Sequence, residues 1–208
     1  DPAQPAFQAD LTERVLVALF LQRTWGDRAT WLGEYLPRSL AAAQAYQQGW
    51  DRTDWQYIGQ AARLDTGWVE AAALAALDSS DAVAESILAR LARRPGLLES
   101  EREEVAFVAA NRVGDAEQAF ELARRRFAVN PEKWVTYATY YAEYTGRSAT
   151  AVAVSSYADS ALGRPRIGAY TMRGLALHHL GRYQDQLKLA HELKSRFPNE
   201  ELIYRTHE

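Results

Sequence analysis

Helix-breaking punctuation recurs along this chain at a nearly constant interval, and that interval limits the fold more than any other feature. Glycine or a polar break divides helical stretches at "QQGWD" (Gly49), "NRVGDA" (Gly114), "EYTGRS" (Gly146) and "HLGRY" (Gly181). Gly114 to Gly146 is 32 residues and Gly146 to Gly181 is 35. An interval of that size holds two helices and two turns, the period of a helical solenoid. A second marker keeps step with the first. "RLDTGW" (63–68), "AVNPEKW" (128–134) and "SRFPNEE" (195–201) each fall about 16 or 17 residues after one of these glycines, where a second helix ends.

Composition agrees with helices. Alanine, leucine, arginine, glutamate and glutamine dominate, and the alternating Val/Ile/Thr runs of a sheet are missing, so the expected class is all-α. The 12 glycines and 7 prolines are isolated, with no low-complexity linker between domains, and one continuous body is expected. A net charge of −3 argues against a general nucleic-acid surface, which needs clustered positive charge to displace counterions. The densest basic run, Arg124-Arg125-Arg126, spreads around a helix and reads as a solvated face. With no cysteine there is no disulfide framework, thiolate chemistry or cysteine-based metal site. The apolar run "VLVALFL" (15–21) is too short to span a bilayer; behind the box-like Asp10-Leu-Thr-Glu13 it reads as a buried helix. The opening "DPAQPAF" has neither an initiator methionine nor a signal peptide, so a mature product or a piece of a longer protein is expected, with the compartment left open.

The stretch "WVTYATYYAEYTG" (134–146) carries five aromatic rings in eleven residues. At 100° per residue Trp134, Tyr137, Tyr140, Tyr141 and Tyr144 share an arc of roughly 120°, with Thr136, Thr139 and Glu143 largely outside it. As a strand the rings would scatter over both faces, so helix is the better reading. Pro131 suits its start and Gly146 the left-handed position past its end.

The last interval, "YTMRGLALHHLGRYQDQLKLAHELKSRFPN", resembles a tetratricopeptide repeat. Tyr170 and Gly174 fall on its first helix, Gly181 at that helix's end, Tyr183 after the turn, and Pro198-Asn199 at the close of the second helix. Gln186 and Leu193 stand where small residues are usual, so the second helix packs differently in detail. Weaker copies precede it. Gly114, Ala119 and Pro131 fit one, with Phe107 and Arg126 in place of small residues. Gly146 and Ala151 fit another, Gly163 taking the proline's place. Ala42, Gly49, Ala61, Leu64 and Asp65 fit a third, and Trp68 to about Pro95 a fourth with a shortened turn at Ser79–Asp81. Ser100–Glu103 reads as a capping box at a further helix start.

The resemblance implies a tetratricopeptide-like right-handed superhelix of antiparallel helix pairs. About five repeats would follow a helix from Asp10 to about Trp25, with 1–9 as a flexible N-terminus, 10–37 as an N-terminal helical cap and 38–208 as the solenoid. "SLAAAQAYQQG", "AARLDTGWVEAA", "LARRPGLLESEREEVAFVAANRVGDAEQAFELARRRFAVNP" and "LALHHLGRY" are together similar to repeat segments on the C-terminal side of the effector domain in bacterial serine/threonine kinases and membrane-tethered winged-helix activators.

Catalytic constellations are missing. There is no glycine-rich phosphate loop, and His191 in "HELKS" has no second histidine four residues on, so neither a nucleotide cofactor nor a zinc-protease site is expected. His178 and His179 point about 100° apart on a helix and cannot easily share an ion. Glu101, Glu103 and Glu104 suit a helix start electrostatically. No enzyme, cofactor or metal is expected.

In tetratricopeptide repeats the first helices line a concave groove where peptide partners lie. That register puts Tyr46, Val108, Asn111, Arg112, Thr136, Tyr140, Glu143, Tyr144, Leu175, His178 and His179 in the groove. Trp134, Tyr137 and Tyr141 would pack between helices, while Tyr140 and Tyr144 reach the groove with their hydroxyls wet. The expected function is a non-catalytic interaction or sensing module binding a protein or peptide segment, with self-association a further possibility if apolar end faces are exposed. The alternative is a cell-envelope protein binding a carbohydrate or small ligand on Trp50, Asp51, Asp54 and Trp55, since indole faces stack on ring faces and cations.

Overall fold

The computed structural model describes residues 3–25, 36–52, 54–162 and 167–196; within these, 3–7, 24–25, 50–52, 132, 158–162 and 167 are described by backbone alone. Eleven helices and no strand make up the described residues, and the chain is all-α. In order they are α1 (Ala3–Trp25), α2 (Leu40–Arg52), α3 (Trp55–Leu64), α4 (Val69–Leu77), α5 (Asp81–Ala92), α6 (Glu99–Val113), α7 (Ala116–Val129), α8 (Pro131–Tyr144), α9 (Ser148–Leu162), α10 (Ile167–His179) and α11 (Tyr183–Arg196). Where even punctuation suggested one continuous body, the chain divides into two compact units, Asp1–Val113 and Gly114–Glu208.

In the first unit α1 packs on α2, α2 on α3, α3 on α4, and α4 on α5 and α6. Its core is Val17, Leu21, Ala42, Tyr46, Ile58, Trp68 and their neighbours, all buried. Two sequence expectations change here. The Asp10–Glu13 box does not start a helix, because α1 already begins at Ala3 and takes in most of the stretch assigned to a flexible N-terminus. Glu13 instead accepts the Leu40 backbone N–H at 2.7 Å, serving a free amide at the start of α2. The run 15–21 is only half buried: Val17 and Leu21 are in the core, whereas Val15, Leu16 and Leu19 are 49%, 43% and 61% exposed. Most of 26–37, expected to complete the cap, lies outside the described residues.

Gly49 does not end its helix either. It lies inside α2, where a β-carbon would come within 2.6 Å of Ile58 Cδ1 on α3, so its lack of a side chain permits close helix contact rather than a turn. The capping contact near Ser100 falls two residues earlier than expected: Leu98 donates its backbone N–H to Glu101 Oε2 at 2.9 Å.

In the second unit α7 packs on α8, α8 on α9 and α10, α9 on α10, and α10 on α11. Gly146 and Gly181 end their helices as expected, with φ of 75° and 68°. Arg147 N–H bonds to Ala142 O and Gly146 N–H to Glu143 O; Arg182 N–H bonds to Leu177 O and Gly181 N–H to His178 O. Each is a paired closing motif that only a left-handed residue allows without strain. α8 and α10 run side by side in one direction. Val135 packs on Ala169 and Thr136 crowds Gly168 near their N-terminal ends, and Glu143 meets His179 at their C-terminal ends. Gly163 and Pro198-Asn199, parts of the repeat pattern, lie outside the described residues.

Candidate partner-binding surface

α8 carries the aromatic stripe. Asn130 caps it by accepting the Lys133 N–H at 3.2 Å, and Pro131 opens it. Burial grades across the arc of rings. Trp134 is fully buried and Tyr141 is 6% exposed, Tyr137 is half-buried, and Tyr140 and Tyr144 are 40% and 68% exposed. Val135, Ala138, Thr139, Ala142 and Glu143 are buried on the remaining faces, so these two tyrosines mark the strip of the helix left to solvent. Their rings stack 5.9 Å apart at 12°, and Tyr140 meets Tyr141 edge-on at 5.0 Å. The buried rings thus support the exposed ones. Burial, with Tyr140 and Tyr144 nearby, pushes the Tyr141 hydroxyl up to about 12.

Beside this strip lies a polar contact between the ends of α8 and α10. Glu143 was expected to stand open in the groove; its side chain is 4% exposed and bonded to His179 Nδ1, whose side chain is 54% exposed. Glu143 Oε2 and, one turn back, Thr139 Oγ1 are buried without a hydrogen-bond partner among the described residues. His178 diverges from His179: its Nδ1 lies 3.3 Å from Gln186 Oε1, and its ring meets Tyr183 edge-on at 5.3 Å. Gln186, larger than the small residue usual there, therefore serves His178. Leu175 is exposed on the same helix at 39%.

Other expected groove residues are placed differently. Tyr46 is 2% exposed, because its ring lies 4.4 Å from Trp68 and its hydroxyl donates to Glu70 at 2.6 Å. Val108 is buried and Asn111 half-buried. Arg112 works inside the first unit, donating to Leu77 O at 3.1 Å and Ser79 O at 2.9 Å and pairing with Asp81. Thr136 is half-buried against Gly168.

The basic run is divided too. Arg124 bonds Glu121 at 2.8 Å, and the Arg126 guanidinium lies 5.8 Å from the Trp134 ring. Arg147 and Arg182, which follow the two helix-ending glycines, hold nearby acids. Arg147 binds Glu117 through both nitrogens at 3.0 and 2.8 Å, a hydrogen bond that raises its own pKa. Arg182 holds the Asp185 carboxyl below its ordinary range through a 2.9 Å hydrogen bond.

Of the alternative platform, the Trp50 and Asp51 side chains lie outside the described residues. Asp54 caps α3 by accepting the Gln56 N–H at 3.0 Å. Trp55 is half-buried and lines a cleft of about 490 Å³ with Arg63, Asp78 and Arg90. A larger cleft, about 830 Å³, lies between α5 and α6 over Leu88, Ala89, Leu97 and Val105, and sequence reasoning missed it. The visible signal was the small and apolar spacing of "SILARLA" opposite "VAFVAA". Among the described residues no group of three or more His, Asp or Glu side chains could hold a metal ion, and no helix is long and apolar enough to cross a membrane. No family model, curated protein or solved structure matches this chain.

Proposed function

We propose that the chain is a non-catalytic interaction module built of tetratricopeptide-like helical repeats, and that it binds a protein segment along the exposed faces of α8 and α10. The observation that carries this reading is the stacked Tyr140–Tyr144 pair, exposed on a helix whose other faces are buried. Tyrosine supplies large contact area at small entropic cost, and a ring pre-stacked on rigid neighbours loses little freedom when a partner covers it. Leu175, His178 and His179 extend the same surface with one apolar and two polar side chains. In the second unit the glycine-closed helices α8 and α10 each pack on the helix that follows, α9 and α11, and this pairing supports the repeat reading. By resemblance, such a module works within a larger bacterial signalling protein as a sensing or docking segment.

The test compares the intact protein with Tyr140→Ala/Tyr144→Ala in affinity capture from bacterial lysate and envelope extract, with helicity checked by circular dichroism. A specific band lost only in the variant, then shown to bind directly in purified form, supports groove recognition. Identical captures refute it.

A second reading, carbohydrate or small-ligand binding, is favoured by one feature: an indole and three charged side chains share the Trp55 cleft. Tryptophan fluorescence titrated with neutral and acidic saccharides, against Trp55→Ala, decides it.

A further inference from the structure

We propose that the paired ends of α8 and α10 form a subsite for a guanidinium group, an arginine side chain of the bound segment. This deepens the interaction reading and rests on it. The core of the subsite is the Glu143 carboxylate. One oxygen is held by His179, and the other is buried with no partner among the described residues, although a carboxylate has lone pairs for several donors. A buried carboxylate so incompletely served is costly, and a further donor there gains more than it would at an exposed acid.

Three further features select a cation. Glu143 lies in the last turn of α8 and His179 ends α10, so two helix C-termini bring their negative ends to the same place. The exposed, stacked faces of Tyr140 and Tyr144 share the last turns of α8 with the carboxylate, and aromatic faces attract cations. His179, which bonds the carboxylate, is itself half exposed and can turn outward without disturbing the core.

The first unit shows what fits such a place. Arg112 and His179 both stand two residues before a left-handed glycine, Gly114 and Gly181. Each reaches the end of the preceding parallel-register helix: Arg112 to the α4 terminus at Leu77 and Ser79, His179 to Glu143 at the end of α8. In the first unit a guanidinium of the chain itself fills the position and serves two carbonyls and Asp81. In the second, among the described residues, a single imidazole nitrogen leaves an oxygen unserved. A partner's arginine would displace His179, bind Glu143 through two nitrogens, and lay its flat face against the tyrosine rings.

The probe is N-acetyl-arginine amide, followed by NMR shifts of the tyrosine rings, with N-acetyl-citrulline amide as the neutral counterpart. We expect saturable binding with a Kd of about a few millimolar, as suits so small a ligand, and at least about tenfold weaker binding of the citrulline compound. Glu143→Gln weakens the arginine compound by about tenfold or more, while Glu121→Gln, at an exposed acid elsewhere, leaves it unchanged. His179→Arg abolishes binding without loss of fold, because the chain then fills the subsite as Arg112 does. Equal binding of both compounds, or binding indifferent to Glu143→Gln and His179→Arg, or no saturation by about 50 mM, overturns the proposal. Arginine binding without any tyrosine-dependent partner would sink the interaction reading and leave the subsite; a tyrosine-dependent partner without arginine binding would do the reverse.

Discussion

Arg112 and His179 hold corresponding places in two units and leave different results behind. Arg112 is permanently charged, and its side chain is 19% exposed with its donors spent on two backbone carbonyls and Asp81. Its contact closes the turn from α4 to α5, where free carbonyls would otherwise meet only solvent or apolar neighbours. His179 offers one nitrogen to Glu143 and stays 54% exposed. The first arrangement locks a helix end; the second covers a buried carboxylate with a group that can leave. The same backbone register thus serves stability in one unit and, on our reading, recognition in the other. The fold decides only where such a side chain lands, and its chemistry decides what it does there.

The difference can be broken most directly at Arg112. Arg112→Ala removes donors from two carbonyls and is expected to destabilise by about 2 kcal/mol, read from the urea midpoint at constant slope. A similar loss for His179→Ala would refute the distinction between a locking and a displaceable contact. Next in size is Gly168→Ala, which drives a methyl to within 2.8 Å of Thr136 Cγ2 and should cost about 1–2 kcal/mol by prising α10 from α8. The same variant should shift the His179 ring resonances, because the helix spacing sets that contact. His179→Arg moves the other way. It supplies the donors that Glu143 lacks and is expected to add about 0.5–1 kcal/mol, seen as a higher melting temperature.

Two smaller effects sharpen the contrast between buried and exposed rings. Tyr144→Ala should change stability by less than about 0.5 kcal/mol, since the ring is mostly in solvent, and a larger loss would make it a packing residue. Tyr141 matters only at high pH. Its folded pKa, about 12, lies above the ordinary 10, so the folded state favours the neutral hydroxyl. Its contribution is complete below pH 10 and is lost as pH rises through 12. A tyrosinate absorbance step near pH 12 should therefore be present in the intact protein and absent from Tyr141→Phe.

The contrast between α1 and α8 shows how far apolar content alone can mislead. The run 15–21 is the most apolar in the chain, yet Leu19 is 61% exposed, because α1 offers one face to α2 and no other described helix covers its outer side. α8 mixes rings with threonine and glutamate, yet it is enclosed on all but one strip because α7, α9 and α10 surround it. Burial belongs to the neighbours a helix acquires.

Much of the local structure was determined by the sequence alone. The all-α class, the glycine closures at Gly114, Gly146 and Gly181, the start of α8 at Pro131 and the single stripe of five rings all follow from backbone permissions and a 100° step, which act within a few residues. Tertiary structure decided everything that needs a second helix. It buried Trp134 and Tyr141 while exposing Tyr140 and Tyr144, turned Tyr46 into the core, and used Gly49 for close packing rather than a turn. It also sent Arg112 to the end of α4 and closed His179 over Glu143, contacts spanning 35 and 36 residues. Periodicity can name the face of a helix. Which neighbour that face meets depends on helices tens of residues away, whose combined packing a local pattern does not encode.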